Sequence, residues 1–273
     1  MDMKRSSGIL LHVTSLPGPY GIGDVGPEAE KFINTLAQAG CGLWQILPLG
    51  HTGYGDSPYQ CFSAFAGNPL LISPDRIIED GLLSQADLDG HPAFPDGEVD
   101  FGAVFEWKTK ILDLAFERFE GAAHPALRRE FESFQREQSG WLGDYALFMA
   151  LKQAHGGVAW SEWAAPLRKR QKKALDEARK THARPVGRFM FRQFLFFRQW
   201  KKLKAHAANQ GIRIIGDEPI FVAYDGADAW SHPELFHLNK EGRPTFVAGV
   251  PPDYFSPTGQ LWGNPLYRWD VLR

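Results

Sequence analysis

The sequence predicts an α/β protein built on a parallel sheet, and three short apolar runs with helices between them carry that prediction. Residues Gly8 to Val13 (GILLHV) form a run of strand type. Pro27 to Ala39 (PEAEKFINTLAQA) places Phe32, Ile33, Leu36 and Ala37 on one helical face, with Pro27 at a natural first helical position and Gly40 as a stop. Leu43 to Leu47 (LWQIL), closed by Pro48, completes a strand, helix, strand unit of the kind that builds parallel sheets. From Gly50 to about Ala183 this regularity gives way to a loop rich in Gly, Ser, Pro and Tyr. Helical segments such as Trp107 to Glu120 and Trp141 to Gln153 follow it, and the stretch reads as an insert standing apart from the sheet. Val186 to Ala208 is a strong helix whose first half (FMFRQFLFF) is apolar nearly all round and therefore expected to be buried. Ile212 to Ile215 is the third strand. Asp217 and Glu218 follow its carboxyl end, where parallel α/β folds carry their chemistry. Tyr224 to Arg273 is loop-rich and stiffened by Pro251 and Pro252.

With 273 residues, 44% of them hydrophobic, the chain can bury a sizeable core, and a formal net charge of -2 exerts no global pull toward nucleic acid or an anionic membrane. Cys41 and Cys61 lack C-x-x-C spacing, which argues against a disulfide framework or structural zinc and suits a reducing, cytoplasmic setting. The opening MDMKRSSGILLHV lacks the apolar core of a signal peptide, and no run of about 18 apolar residues could span a bilayer. Aromatic residues make up 13% of the chain; Tyr and Trp in polar loops are what a sugar cleft needs, because the C–H face of a pyranose lies against an aromatic ring.

The stretch GIGDVG, Gly21 to Gly26, spells the G-x-G-x-x-G of a dinucleotide loop. That fingerprint requires its first glycine directly after strand one and an acid at the end of strand two. Here TSLPGPY intervenes before Gly21, and the second strand runs into LPLGH, so the fingerprint fails on both counts and a long loop feeding a helix is expected instead.

Four motifs stand in a row: GILLHVTSLPGPYGIGD, GYGDSPYQCFSAFAGNPLLIS, IIGDEPIFVAYDGADAW and VAGVPPDYFSPTGQLWGNPLYRWD. Together, from about Ser7 to Arg273, they closely resemble the 4-α-glucanotransferases of the amylomaltase (disproportionating enzyme) family, glycoside hydrolase family 77. The resemblance implies a TIM-type (β/α)8 barrel with an inserted helical subdomain, incomplete here, since about the first three barrel strands are present and closure takes eight. The division expected is residues 1–50 as the first barrel βαβ unit, 51–185 as the inserted loop-rich and helical subdomain, and 186–273 as barrel helix, third strand and lid-like loop. It also implies a cofactor-free, metal-free retaining transfer between maltodextrins or starch-derived α-1,4-glucans. In the family the catalytic carboxylates come from motifs downstream of GNPLYRWD, the first in a strand that reads much like RIDHFRG. No such motif occurs here, so the chain resembles the N-terminal half, the catalytic residues are expected beyond Arg273, and the polypeptide alone is expected to lack transferase activity. A non-catalytic glucan-binding polypeptide and an α-amylase-type hydrolase are the alternatives.

Carried over residue by residue, the resemblance makes Ser57 and Tyr59 donor-side contacts near the cleaved bond and places Asp217 near the nucleophile and a subsite sugar. Ala248 to Pro265 resembles a lid loop over the cleft, with Asp253, Gln260, Trp262 and Asn264 as candidate glucan contacts. A transferase must keep water from outcompeting a dilute acceptor hydroxyl, and a stiff aromatic lid suits that need. Tyr54 resembles one member of an aromatic pair forming a remote glucan groove; the partner motif V-D-Y-G is VDFG here, so Phe101 keeps a stacking face and loses the hydroxyl. Glu218 departs from an expected apolar residue and receives no role, and Asp56 is read as bracing its turn. His12 and His51 read as structural histidines, and the basic run Arg168 to Arg188 as a solvated helical face, not a nucleic-acid site. Three parallel strands of this kind are normally covered on both faces; with an open apolar edge, the chain is expected to self-associate through it, to be partly rearranged, or to be one piece of a longer chain.

Overall fold

The structure, a computed structural model, describes residues 5–53, 55–121 and 124–272. In chain order the elements are β1 (Gly8–Leu10), α1 (Pro27–Gln38), β2 (Leu43–Gln45), α2 (Pro74–Glu79), α3 (Gln85–Leu88), α4 (Phe101–Gly121), α5 (Pro125–Glu137) and α6 (Leu142–Ala154). They continue with α7 (Ala165–Arg168), α8 (Lys172–Thr181), α9 (Ala183–Asn209), β3 (Arg213–Ile215), α10 (Ala227–Ser231), β4 (Val247–Val250) and β5 (Gln260–Pro265). The strands are shorter than their apolar runs: β1 stops at Leu10 and the chain turns through a 3-10 helix at Val13–Ser15, and β2 ends at Gln45. The long helix α9 begins three residues before Val186, and Phe191 to Phe196 are all buried, as the all-round apolar pattern requires.

Two compact units form. The first comprises Met1–Leu49, Gly67–Phe134 and Phe191–Glu218; the second comprises Gly50–Ala66, Gln135–Met190 and Pro219–Arg273. The stretch 51–185, read from sequence as one inserted subdomain, is thus shared between them, because Gly67–Phe134 groups with the strands.

In the first unit the three strands form a parallel sheet in the order β1-β2-β3, with Ile9 opposite Trp44 and Trp44 opposite Ile214. Trp44 is fully buried and its indole N–H donates to the Leu11 carbonyl at 2.8 Å. The outer strands are not covered on both faces: β1 is exposed along its length, and Ile9, Leu10 and Ile215 are exposed apolar residues. Helix α1 buries Ile33 and Leu36 of the stripe expected from its spacing, together with Ala29, while Phe32 and Ala37 are half-buried. Two glutamines six residues apart on α9 each clamp an extended segment by both amide ends. Gln193 pairs with the backbone of Gly67, and Gln199 pairs with that of Ser73. Gly67 is needed there, since a Cβ at that position would run into the Phe196 ring. Phe119 stacks on Phe191 at 4.6 Å to extend this core.

The second unit is organised by α6, from which Tyr145 to Leu151 are buried, against an aromatic group of Phe148, Trp163 and Trp230. The Arg170 guanidinium lies 4.3 Å over the Trp230 ring. Strands β4 and β5 make an antiparallel ribbon with a register shift between Val247 and Gly249. Among the described residues no helix is long and apolar enough to cross a membrane, and Cys41 and Cys61 are free thiols.

Candidate functional site

The second unit places the loop containing Ser57 and Tyr59 on a short hairpin. Thr52 and Cys61 form an antiparallel bridge, the Gly53 amide donates to Gln60 O and the Phe62 amide to His51 O. The turn at the end of this hairpin needs left-handed backbone, which Gly55 supplies at φ 93° and Asp56 adopts at φ 53°. Burial raises the Asp56 carboxyl above its ordinary value. The Ser57 hydroxyl faces the Tyr59 amide at 3.4 Å, and the Tyr59 ring is 44% exposed. His51 is buried, with Nδ1 2.7 Å from the Tyr145 hydroxyl and its ring edge-on to Phe62, so it is a satisfied structural histidine.

The hairpin is anchored to the segment that follows Pro219. The Ala227 amide donates to Phe62 O, and the Ala64 amide donates to Asp228 Oδ2 at 2.8 Å. Burial raises the pKa of Asp228, and burial together with that carboxylate pushes the Cys61 thiol up to about 11, so the thiol is an inert part of the hairpin. Asp225 accepts from Lys152 Nζ, and the Trp160 indole donates to Tyr224 O at 2.8 Å, which ties Tyr224 and Asp225 to Trp160 and α6.

The lid-like segment is the β4–β5 ribbon and its connection. Asp253 Oδ1 accepts the amides of Phe255 at 2.9 Å and Ser256 at 2.8 Å, so this candidate glucan contact also braces its own turn. Gly259 closes the connection at φ 74°, and a Cβ there would sit 2.5 Å from Val250 O. Tyr254 and Phe255 stand at the tip almost fully exposed, ring centroids 5.5 Å apart and edge-on. Trp262 is 42% exposed, donates its indole N–H to Gln260 Oε1 at 3.0 Å, and lies 6.3 Å from the Phe221 ring.

These residues are brought together by Gln60, the neighbour of Tyr59. Its Nε2 donates to Asn264 Oδ1 at 3.1 Å, and Asn264 lies two residues beyond Trp262 on β5. Ser57, Tyr59, Gln260, Trp262 and Asn264 thus belong to one set of connected segments. Asp217 belongs to the other unit. It is exposed just past β3, and its Oδ1 accepts the Glu218 amide at 2.8 Å. His12 lies past the end of β1 in that same unit; its Nδ1 is buried without a hydrogen-bond partner and burial lowers its pKa, which keeps it neutral. Tyr54 lies outside the described residues, and Phe101, its expected partner, packs partly buried against Ile22, Leu70 and Val104. Among the described residues no cluster of three or more His, Cys, Asp or Glu is gathered to hold a metal ion.

Sequence reasoning passed over Gln60, Lys152 and Asp225. Gln60 sits inside a quoted motif, but a glutamine in a polar loop carries no signal of its partner 204 positions away. Lys152 stands in the last turn of α6, where a basic residue is ordinary, so its burial and its bond to Asp225 left no sign in the sequence.

The profile of glycoside hydrolase family 77, described as 4-alpha-glucanotransferase, matches residues 11–273. The 4-alpha-glucanotransferase of Thermus thermophilus is 58% identical over 272 residues, covering 100% of this chain and 54% of that protein. That of Synechocystis is 50% identical, covering 99% of this chain and 54% of that protein. The amylomaltase of Streptococcus agalactiae, solved in complex with acarbose, superimposes with a TM-score of 0.94 at 42% identity, covering 98% of this chain and 54% of that one. The chain spans about half the length of the curated relatives it matches. Its α/β fold is that of the amylomaltase structures. On this footing the chain belongs to the 4-alpha-glucanotransferase family, glycoside hydrolase family 77.

Proposed function

We propose that this chain is the glucan-binding part of a 4-α-glucanotransferase, a cofactor-free enzyme that moves α-1,4-glucan segments between maltodextrins by retaining double displacement. In that mechanism an aspartate attacks the anomeric carbon while a glutamic acid protonates the leaving oxygen, and the 4-hydroxyl of a second glucan then releases the glycosyl enzyme. In this reading the nucleophile and the acid/base lie in the part of the relatives' length that this chain does not span. The three parallel strands are the first staves of a (β/α)8 barrel, and Asp217 stands at the carboxyl end of the third. Ser57 and Tyr59 contact the donor side, and Asp253, Gln260, Trp262 and Asn264 are the candidate glucan contacts of the lid-like segment, Tyr59 and Trp262 through their half-exposed rings. The free thiols suit a cytoplasmic enzyme. The exposed apolar edges of β1 and β3 are open to pairing with further strands or with a second copy.

The observation that carries this reading is the unbroken family match over residues 11–273. Maltoheptaose titrated calorimetrically into the chain tests it, with acarbose, which the Streptococcus agalactiae relative binds, as a second probe. Saturable binding is expected, weakened by Tyr59→Ala and by Trp262→Ala, with no glucose released from maltotriose. Absence of binding by either probe overturns the glucan site, and redistribution of maltotriose into glucose and longer maltodextrins overturns the division of labour.

A further inference from the structure

Asn264 has almost no free surface, 4% exposed on the strand that also carries half-exposed Trp262. Its Nδ2 donates to the Val222 carbonyl at 2.9 Å. A carbonyl can only accept, so this bond fixes which end of the amide carries nitrogen and turns Oδ1 toward the other neighbour. That neighbour is Gln60, whose Nε2 donates to Oδ1 at 3.1 Å. One amide therefore joins three segments distant in sequence: the hairpin that bears Ser57 and Tyr59, the segment after Pro219, and β5.

We infer that Asn264 is a positioning residue, holding Gln60 and through it the Tyr59 loop in register with Trp262, and that it does not itself touch glucan. The base of the hairpin is secured at Phe62 and Ala64 by bonds to Ala227 and Asp228. Gln60 lies at the opposite end, the residue that closes the loop bearing Ser57 and Tyr59, where the Gly53 amide meets Gln60 O at 3.3 Å. Gln60 is thus the stem residue on which the Tyr59 side of the loop rests, and the Gln60–Asn264 bond ties that stem to β5. The bond is directional: the acceptor is Oδ1 of an amide whose nitrogen is already committed, so Gln60 must donate.

That directionality gives a signature a merely structural residue lacks. A glutamate at position 60 cannot donate to Oδ1 when ionised and can when protonated. The variants Asn264→Leu, Gln60→Leu, the double variant and Gln60→Glu are compared in the full 273-residue chain by backbone hydrogen exchange and by maltoheptaose calorimetry. Each leucine variant should speed exchange at Gly53 and Phe62 about tenfold, and the double variant should add nothing further, as expected when both remove one bond. Maltoheptaose affinity should fall about tenfold in each. Gln60→Glu should bind weakly at pH 7 and regain affinity as the pH falls through the ordinary carboxyl range of about 4 to 5.

A role in touching glucan would appear instead as lost affinity in Asn264→Leu with hairpin exchange unchanged and Gln60→Leu without effect. Unchanged exchange in every variant would likewise overturn the inference. Its functional half rests on the glucan reading above: if the unaltered chain takes up no maltoheptaose, that reading falls, while hydrogen exchange still decides the strut. Should Asn264→Leu fail to fold, the exposed position of Gln60 leaves Gln60→Leu and Gln60→Glu to decide it.

Discussion

Replacing Lys108 by methionine should cost far more than losing a surface lysine. Lys108 is 1% exposed on α4, and its Nζ donates to Leu70 O at 2.6 Å and Ile72 O at 3.0 Å, with Asp24 Oδ2 at 3.5 Å. Asp24 in turn accepts the Gly26 amide at the start of α1. Burial pulls the Lys108 pKa down and pushes that of Asp24 up, so each charge is tolerated only because of the groups around it. Lys108→Met conserves volume but leaves a buried carboxylate and two carbonyls without their donor. Breaking a buried pair in this way costs about 3–5 kcal/mol. For a chain of this size that lowers Tm by about 6–20 °C. Differential scanning calorimetry at pH 7 measures it, and Asp24→Asn added to the variant should return part of the loss by removing the stranded charge. A drop of under about 1 kcal/mol would mean that water or local movement satisfies those oxygens, and the buried ammonium would then not be what holds α4 to the Leu70–Ile72 segment.

Three further outcomes follow from particular contacts. The Arg118 fork and the Ser84 hydroxyl and amide hold the Asp87 carboxyl well below its ordinary range. Because the folded value is depressed, the contribution of Asp87 is present above about pH 4 and fades as the pH falls further. The Tm difference between the chain and its Asp87→Asn variant should therefore shrink on acidification, and a pH-independent difference would count against the fork. Gly259→Ala forces a side chain into a φ of 74° facing Val250 O, which costs about 1–3 kcal/mol and should weaken maltoheptaose binding by disturbing the ribbon; unchanged affinity would disconnect the ribbon from the site. Sedimentation should show self-association of the chain, relieved by Leu10→Lys and Ile215→Lys on the exposed strands, whereas a monomer throughout would remove the edge-pairing proposal.

The elements legible in the sequence were those whose pattern is local. Ile33 and Leu36 of the α1 stripe, the all-round apolar start of α9 and the presence of three parallel strands follow from periodicity and from Pro27 and Gly40 as punctuation. What escaped depended on distant partners. The Gly67–Phe134 stretch joins the strands because Gln193 and Gln199 clamp Gly67 and Ser73, pairings that span 126 positions each and leave no periodic trace. The first strand is shorter than its apolar run because, after Leu11 makes a last bond to Gln45 O, the chain turns into the 3-10 helix at Val13–Ser15. At the candidate site the motifs supplied Tyr59 and Trp262, while the connection between them, Gln60 to Asn264 to Val222, needed coordinates. Asp253 illustrates the converse: the motif marks it as a candidate glucan contact, and its Oδ1 braces the turn at Phe255 and Ser256.

Whether the Tyr59 loop and the ribbon form a glucan site is tested most directly by following the indole N–H resonances of the nine tryptophans during a maltoheptaose titration. Trp262, half-exposed and bonded to Gln260, should move progressively with added sugar, while Trp230, buried and bonded to Leu167 O, should stay in place. Movement confined to other indoles, or none at saturating sugar, would locate the glucan elsewhere or nowhere on this chain.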